Sequence, residues 1–140
     1  MTSIPTHRAP ITPAILLQLE AWILLIVSCA LYQHLLPHHW LLFAALFLVP
    51  DLSLFAYTAG TSRLAALLYN SAHSYSLPLI LGCASYAAAW HLGMAIALIW
   101  CAHIAFDRGL GFGLKFAEGF KPTHIQRAGV WHDDPNPPTQ

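Results

Sequence analysis

The sequence predicts an all-α membrane protein: a bundle of four transmembrane helices with short loops and both termini on the cytoplasmic side. Three observations carry that expectation. Hydrophobic residues make up 57% of the 140 residues and charged residues 9%, with a mean hydropathy of +0.57, whereas a soluble domain carries about 25% charged residues. The apolar residues gather into four runs of roughly 19–23 residues, and at 1.5 Å per residue each such run spans a hydrocarbon core of about 30 Å. All six basic residues, Arg8, Arg63, Arg108, Lys115, Lys121 and Arg127, fall on one side of a four-span path.

Residues 1–13 form a polar cytoplasmic segment with Arg8, Pro5, Pro10 and Pro13. The first apolar run, 14–36, is interrupted by Gln18 and Glu20. It exceeds the ~7–15-residue apolar stretch of a signal peptide and no small-x-small cleavage site follows, so it is expected to remain as a helix. Pro37-His38-His39 makes a turn, a second run covers 40–59, and Gly60-Thr61-Ser62-Arg63 closes it. The third run covers 64–86 and the fourth 88–106, with an interfacial extension that ends the membrane domain (14–119). Residues 120–140 form a cytoplasmic tail with Pro122, Pro135, Pro137 and Pro138, expected to be poorly ordered without a partner.

The runs must be helices, because four strands cannot close a barrel and would leave backbone groups unpaired in lipid. The loops at 37–39 and near 87 hold no Lys or Arg, and positive residues stay on the cytoplasmic side. The formal net charge of zero argues against a nucleic-acid partner, which needs a basic face. The partner expected instead is the lipid bilayer, with a homo-oligomer or a larger membrane complex as further assemblies.

Polar residues inside these runs are the main functional signal. A charged side chain at mid-membrane costs about 2.5–3.5 kcal/mol and is kept only when partnered or useful. The four-span path puts Glu20, Asp51, Asn70, His73, His103 and Asp107 at similar depth in the cytoplasmic half. His103 and Asp107 are spaced i, i+4, Asn70 and His73 i, i+3, and Tyr69 and His73 i, i+4, so each pair shares a helix face. Pro50 should kink the second helix where Asp51 projects, and Pro78 the third, one turn above His73.

Three chemistries fit that set. Carboxylates and imidazoles on facing helices are the usual ligands of zinc, iron or manganese. In that reading Asp51, His73, His103 and Asp107 are the metal ligands, and Glu20 is a further ligand or the general base for a metal-bound water. Glu20, Asp51 and His73 are then the catalytic candidates, supported by Tyr69, Asn70 and Arg108. The second chemistry is a proton or ion relay through carboxylate–histidine pairs. The third is structural, with Asp51 paired to a histidine or to Arg108 to fix helix register.

Other residues take plainer readings. His34, His38, His39 and His91 are expected near the outer face, with Trp40 and Trp90 as interfacial anchors. Cys29, Cys83 and Cys101 have no CxxC spacing. The string GLGFG (109–113) lacks the preceding strand and GK[ST] ending of a phosphate loop, so it is expected to continue the fourth helix flexibly.

The strings PDLSLFAY (50–57), LLYNSAHSYSLPL (67–79), AHIAFDRGLGFGLKF (102–116) and FKPTHI (120–125) resemble those of a family of small bacterial integral membrane proteins, domain of unknown function 4260. The resemblance covers nearly all of residues 16–125. It places Glu20, Asp51, Asn70, His73, His103, Asp107, Arg108 and Lys115 at the family's motif positions. Phe55, Ala56, Ala105 and Phe112 depart from its usual Leu, Gly, Gly and Tyr. It implies a four-helix protein of the bacterial inner membrane and no established activity. The expected function is a metal-dependent, hydrolase-like membrane enzyme acting on a lipid-soluble or membrane-proximal substrate. The alternatives are an accessory subunit of a larger membrane complex and a proton or ion relay. No HEXXH signature is present.

Overall fold

The computed structural model describes residues 13–59 and 62–112. The chain is all-α: α1 (Pro13–Leu35), α2 (Trp40–Phe47), a 3-10 helix (Val49–Ala59), α3 (Ser62–Ala72), α4 (Ser76–Ala87) and α5 (His91–Gly109), with no strand among the described residues. Two helices, α1 and α5, are long and apolar enough to cross a membrane. The second and third apolar runs, expected as continuous helices, are each broken in two.

The first break follows from Pro50. Proline has no N–H to offer the preceding turn, and the Asp51 N–H donates to the Leu48 carbonyl at 3.2 Å, three residues back. That is 3-10 spacing, and the tighter winding continues from Val49 to Ala59. Runs of 3-10 helix beyond about 3–4 residues are uncommon and often mark strain or function. The expected kink at Pro50 is therefore a change of helix type, and Asp51 sits in its first turn.

The second break spans residues 73–75. Pro78 lies in the first turn of α4, where a missing N–H removes no helical bond. The interruption therefore falls at His73 itself and not one turn above it. The Trp100 indole N–H donates to the Ala72 carbonyl at 2.6 Å, satisfying an acceptor that the end of α3 leaves open.

Helix α5 is the hub, with α1, α2 and α4 packed on it. Its buried positions are mostly small, including Gly93, Ala95, Ala97, Ala102 and Ala105, which lets neighbouring backbones approach closely. A Cβ on Gly109 would lie 2.8 Å from the Trp22 ring of α1. Helix α1 buries only Ala21, Ser28 and Tyr32, one stripe at i, i+7 and i+11. Tyr32 joins Ala95 and Ile99 in the core, flanked by Phe43, Leu46, Phe47 and Leu98. The remainder of α1 faces outward, with Leu19, Ile23, Ile26 and Leu31 exposed.

The turn before α2 accounts for two of the plain histidines. His38 adopts φ +68°, and the Tyr32 hydroxyl donates to the His39 carbonyl at 2.8 Å. At the other end, Gly111 (φ +86°) stops α5. The Gly111 N–H donates to the Arg108 carbonyl at 3.0 Å and the Phe112 N–H to the Asp107 carbonyl at 2.8 Å, the paired bonds of a Schellman cap. Within the described residues, GLGFG thus terminates α5 and does not continue it. Lys115, the rest of the extension and the 120–140 tail lie outside the described residues.

A candidate metal centre

The breaks and the hub bring four side chains to one point. Asp51 comes from the first turn of the 3-10 helix, His73 from the residue just past α3, and His103 and Asp107 from successive turns of α5. One ligand atom from each lies within 4.8 Å of every other. His73 Nε2 is 3.5 Å from Asp51 Oδ1 and 3.4 Å from Asp107 Oδ2. His103 Nε2 is 3.5 Å and 3.7 Å from the same two oxygens. The two Nε2 atoms are 3.2 Å apart.

Those separations discriminate between chemistries. A direct imidazole–carboxylate hydrogen bond closes to about 2.7–2.9 Å, shorter than all four His–Asp distances. Donors about 2.0–2.1 Å from a tetrahedral metal are instead separated from one another by about 3.3–3.4 Å. The four His–Asp distances and the His–His distance, 3.2 to 3.7 Å, scatter around that value. The cluster is compact enough to hold a metal ion.

The supporting contacts are unequal. His73 Nδ1 bonds the Tyr69 carbonyl at 3.0 Å. A carbonyl only accepts, so Nδ1 carries a proton, and in the neutral ring the Nε2 lone pair faces the cluster, the usual arrangement of a metal-binding histidine. The Tyr69 ring stacks on the His73 ring, with centroids 3.9 Å apart and planes at 14°. His103 is held edge-to-face by Phe47 at 5.2 Å. His103 Nδ1 is buried and makes no hydrogen bond among the described residues.

Exposure grades the four groups. The side chains of His73 and His103 are 4% and 2% exposed, Asp107 19% and Asp51 39%. Imidazoles form the floor and Asp51 the mouth.

Glu20 stands apart. It is exposed on α1, one residue and hence about 100° around the helix from the buried Ala21. It is not among the four clustered groups: similar depth does not fix the direction a side chain faces. Asn70 is half-buried on α3 beside Tyr69. Arg108 sits 4.4 Å over the Tyr75 ring as a cation–π pair, and not on Asp51.

Two contributors carry no mark in the sequence: Phe47, one apolar residue among many, packs on His103, and Trp100 caps α3. The available signal was helical spacing: Ile96, Ile99, Trp100, His103 and Asp107 recur at i, i+3, i+4, i+7 and i+11 along one face of α5.

No curated protein and no solved structure matches the chain. The family model described as "Domain of unknown function (DUF4260)" matches residues 14–128, most of the chain, and the protein is a member of that family.

Proposed function

We propose that this protein is a metal-dependent hydrolase of a cellular membrane, with His73, His103 and Asp107 as its permanent metal ligands and Asp51 as an exchangeable one. The observation that carries the reading is the spacing of the four ligand atoms, too long for ion-paired hydrogen bonds and matched to ligands around a tetrahedral metal. Zinc, iron and manganese all accept this nitrogen and oxygen set. The bound ion would supply Lewis acidity and lower the pKa of a water.

The residues divide the remaining work. Catalytic metal sites keep about three protein ligands and one open position. With His73, His103 and Asp107 holding the ion, Asp51, the most exposed of the four, would accept a proton from the attacking water. The water oxygen joins the acyl carbon or phosphorus of the substrate while the bond to the leaving oxygen breaks. One proton passes to that leaving oxygen and the other to solvent. Glu20, outside the cluster, takes no part.

The membrane placement is part of the same proposal. α1 and α5 have the length and apolarity of spans, and α2 with the 3-10 helix and α3 with α4 act as two further, broken spans. Broken helices inside a membrane suit a cavity or a site. Outward-facing Leu41, Leu52, Leu67, Leu79 and Ile80 support lipid contact on these segments. The basic residues then put both termini in the cytoplasm of a bacterial cell.

A second reading is favoured by the number of converging groups: with all four as ligands, a structural metal would clip the 3-10 helix, α3 and α5 together, as closed four-ligand sites do. Elemental analysis followed by cobalt substitution decides between them. The expected result is about one metal per chain, absent from His103→Ala, and a cobalt visible spectrum that shifts on adding azide. A metal-bound protein with an azide-insensitive spectrum establishes the clip, and a metal-free wild-type protein removes both readings.

A further inference from the structure

A cavity of about 290 Å³ is lined by Leu46, Val49, Pro50, Ser53, Ala72, Ile96, Ile99 and Trp100, several of them chain neighbours of the four clustered groups. Its position follows from the elements that build the centre. Pro50 precedes Asp51, Ala72 precedes His73, and Ile99 and Trp100 lie one turn before His103. Three walls of the cavity thus run directly into ligands. The Trp100 indole is held against α3 by its bond to the Ala72 carbonyl, which keeps that wall in place.

The chemistry of the space is two-sided. Its walls are almost entirely aliphatic and aromatic, yet Ser53 contributes a buried hydroxyl oxygen with no hydrogen-bond partner. A buried unpaired hydroxyl is costly and calls for a ligand or water to satisfy it. Asp51 and His73 directly follow the lining residues Pro50 and Ala72, and His103 lies one turn after Ile99 and Trp100, so a polar reacting group belongs at that side of the cavity.

We propose that the cavity holds the hydrocarbon chain of a single-chain amphiphile, an acyl ester or a phosphoester, with its reacting group at the metal and a polar atom on Ser53 Oγ. The proposal rests on the metal-site reading and names its substrate class. Its volume is at the lower end of the ~300–1,000 Å³ of small-molecule sites, which suits one chain and not a two-chain lipid. An entirely polar substrate would leave the aliphatic walls without a role.

The test uses the full-length protein in lipid nanodiscs with cobalt bound, and two probes, acetohydroxamate and octanohydroxamate, which chelate metals identically and differ in chain length. The wild type should bind the octanoyl probe at least ~10-fold more tightly, a small share of what six added methylenes can contribute. Val49→Trp, at an exposed wall position, and Ser53→Leu should each fill the cavity. Val49→Trp should bind acetohydroxamate as the wild type does, and both variants should reduce the chain-length gain to less than ~3-fold.

Equal binding of the two probes by the wild type, or an unchanged gain in both folded variants, overturns the proposal. Failure of acetohydroxamate to perturb the cobalt spectrum overturns the open metal site instead. In that event decanoic acid with a terminal diazirine decides the chain site alone. Labelling within residues 94–102 that Val49→Trp abolishes supports the cavity, and absence of labelling there overturns it.

Discussion

The Nε2 atoms of His73 and His103 face each other at 3.2 Å, although thirty residues separate them in the chain. His73 Nδ1–H donates to the Tyr69 carbonyl, so the neutral ring offers its Nε2 lone pair toward His103. An approach this close between imidazoles is stabilised when a cation lies between the lone pairs. Replacing His73 or His103 by Ala should therefore reduce bound metal to below about a tenth of the wild-type content, measured by elemental analysis. His38→Ala and His39→Ala should leave it unchanged, since those residues belong to the turn before α2. Equal metal loss in all four would show non-specific binding.

Removing one member of the cluster leaves the rest buried without compensation, which costs about 3–5 kcal/mol. Asp51→Leu/His73→Leu removes an acid and an imidazole together and should recover much of the stability lost in His73→Leu. The thermal midpoints of the two variants and the wild type provide the comparison. A well-folded double variant that is metal-free and inactive supports the site, whereas full cellular function in that variant would show the cluster to be scaffold.

Trp100→Phe keeps an aromatic wall and removes one donor. The Ala72 carbonyl loses its 2.6 Å partner, so a loss of about 1–3 kcal/mol is expected for the buried acceptor left behind. Amide exchange should quicken at residues 73–76 more than at the middle of α5. Uniform exchange across both segments would count against a local capping role.

Gly109→Ala tests the contact between α1 and α5. Its new Cβ would stand 2.8 Å from the Trp22 ring, and overpacking of this kind costs about 1–3 kcal/mol. Trp22→Leu in the same chain should restore part of the loss. A double variant no more stable than Gly109→Ala would place the strain elsewhere.

The proposed topology requires reporter fusions after residue 38 and after residue 140 to report opposite compartments. Fusions reporting the same side would exclude the four-span path.

The sequence by itself determined the helical class, the apolar runs and four ligand candidates. Local periodicity suffices for His103 and Asp107, because an i, i+4 pair on one helix shares a face whatever surrounds it. Pro50 likewise announced an interruption beside Asp51, since a missing N–H is a property of the residue. Tertiary structure alone decided which polar residues meet. Glu20 shares the proposed depth of the others, but its direction depends on the stripe Ala21–Ser28–Tyr32 packing on α5, and that contact turns the acid outward. The second break was equally hidden: Pro78 marked α4, while the chain parted at His73, where Trp100 from another helix takes over the Ala72 carbonyl. Spacing along a helix fixes which side chains share a face; only the packing of one helix on another fixes what that face touches.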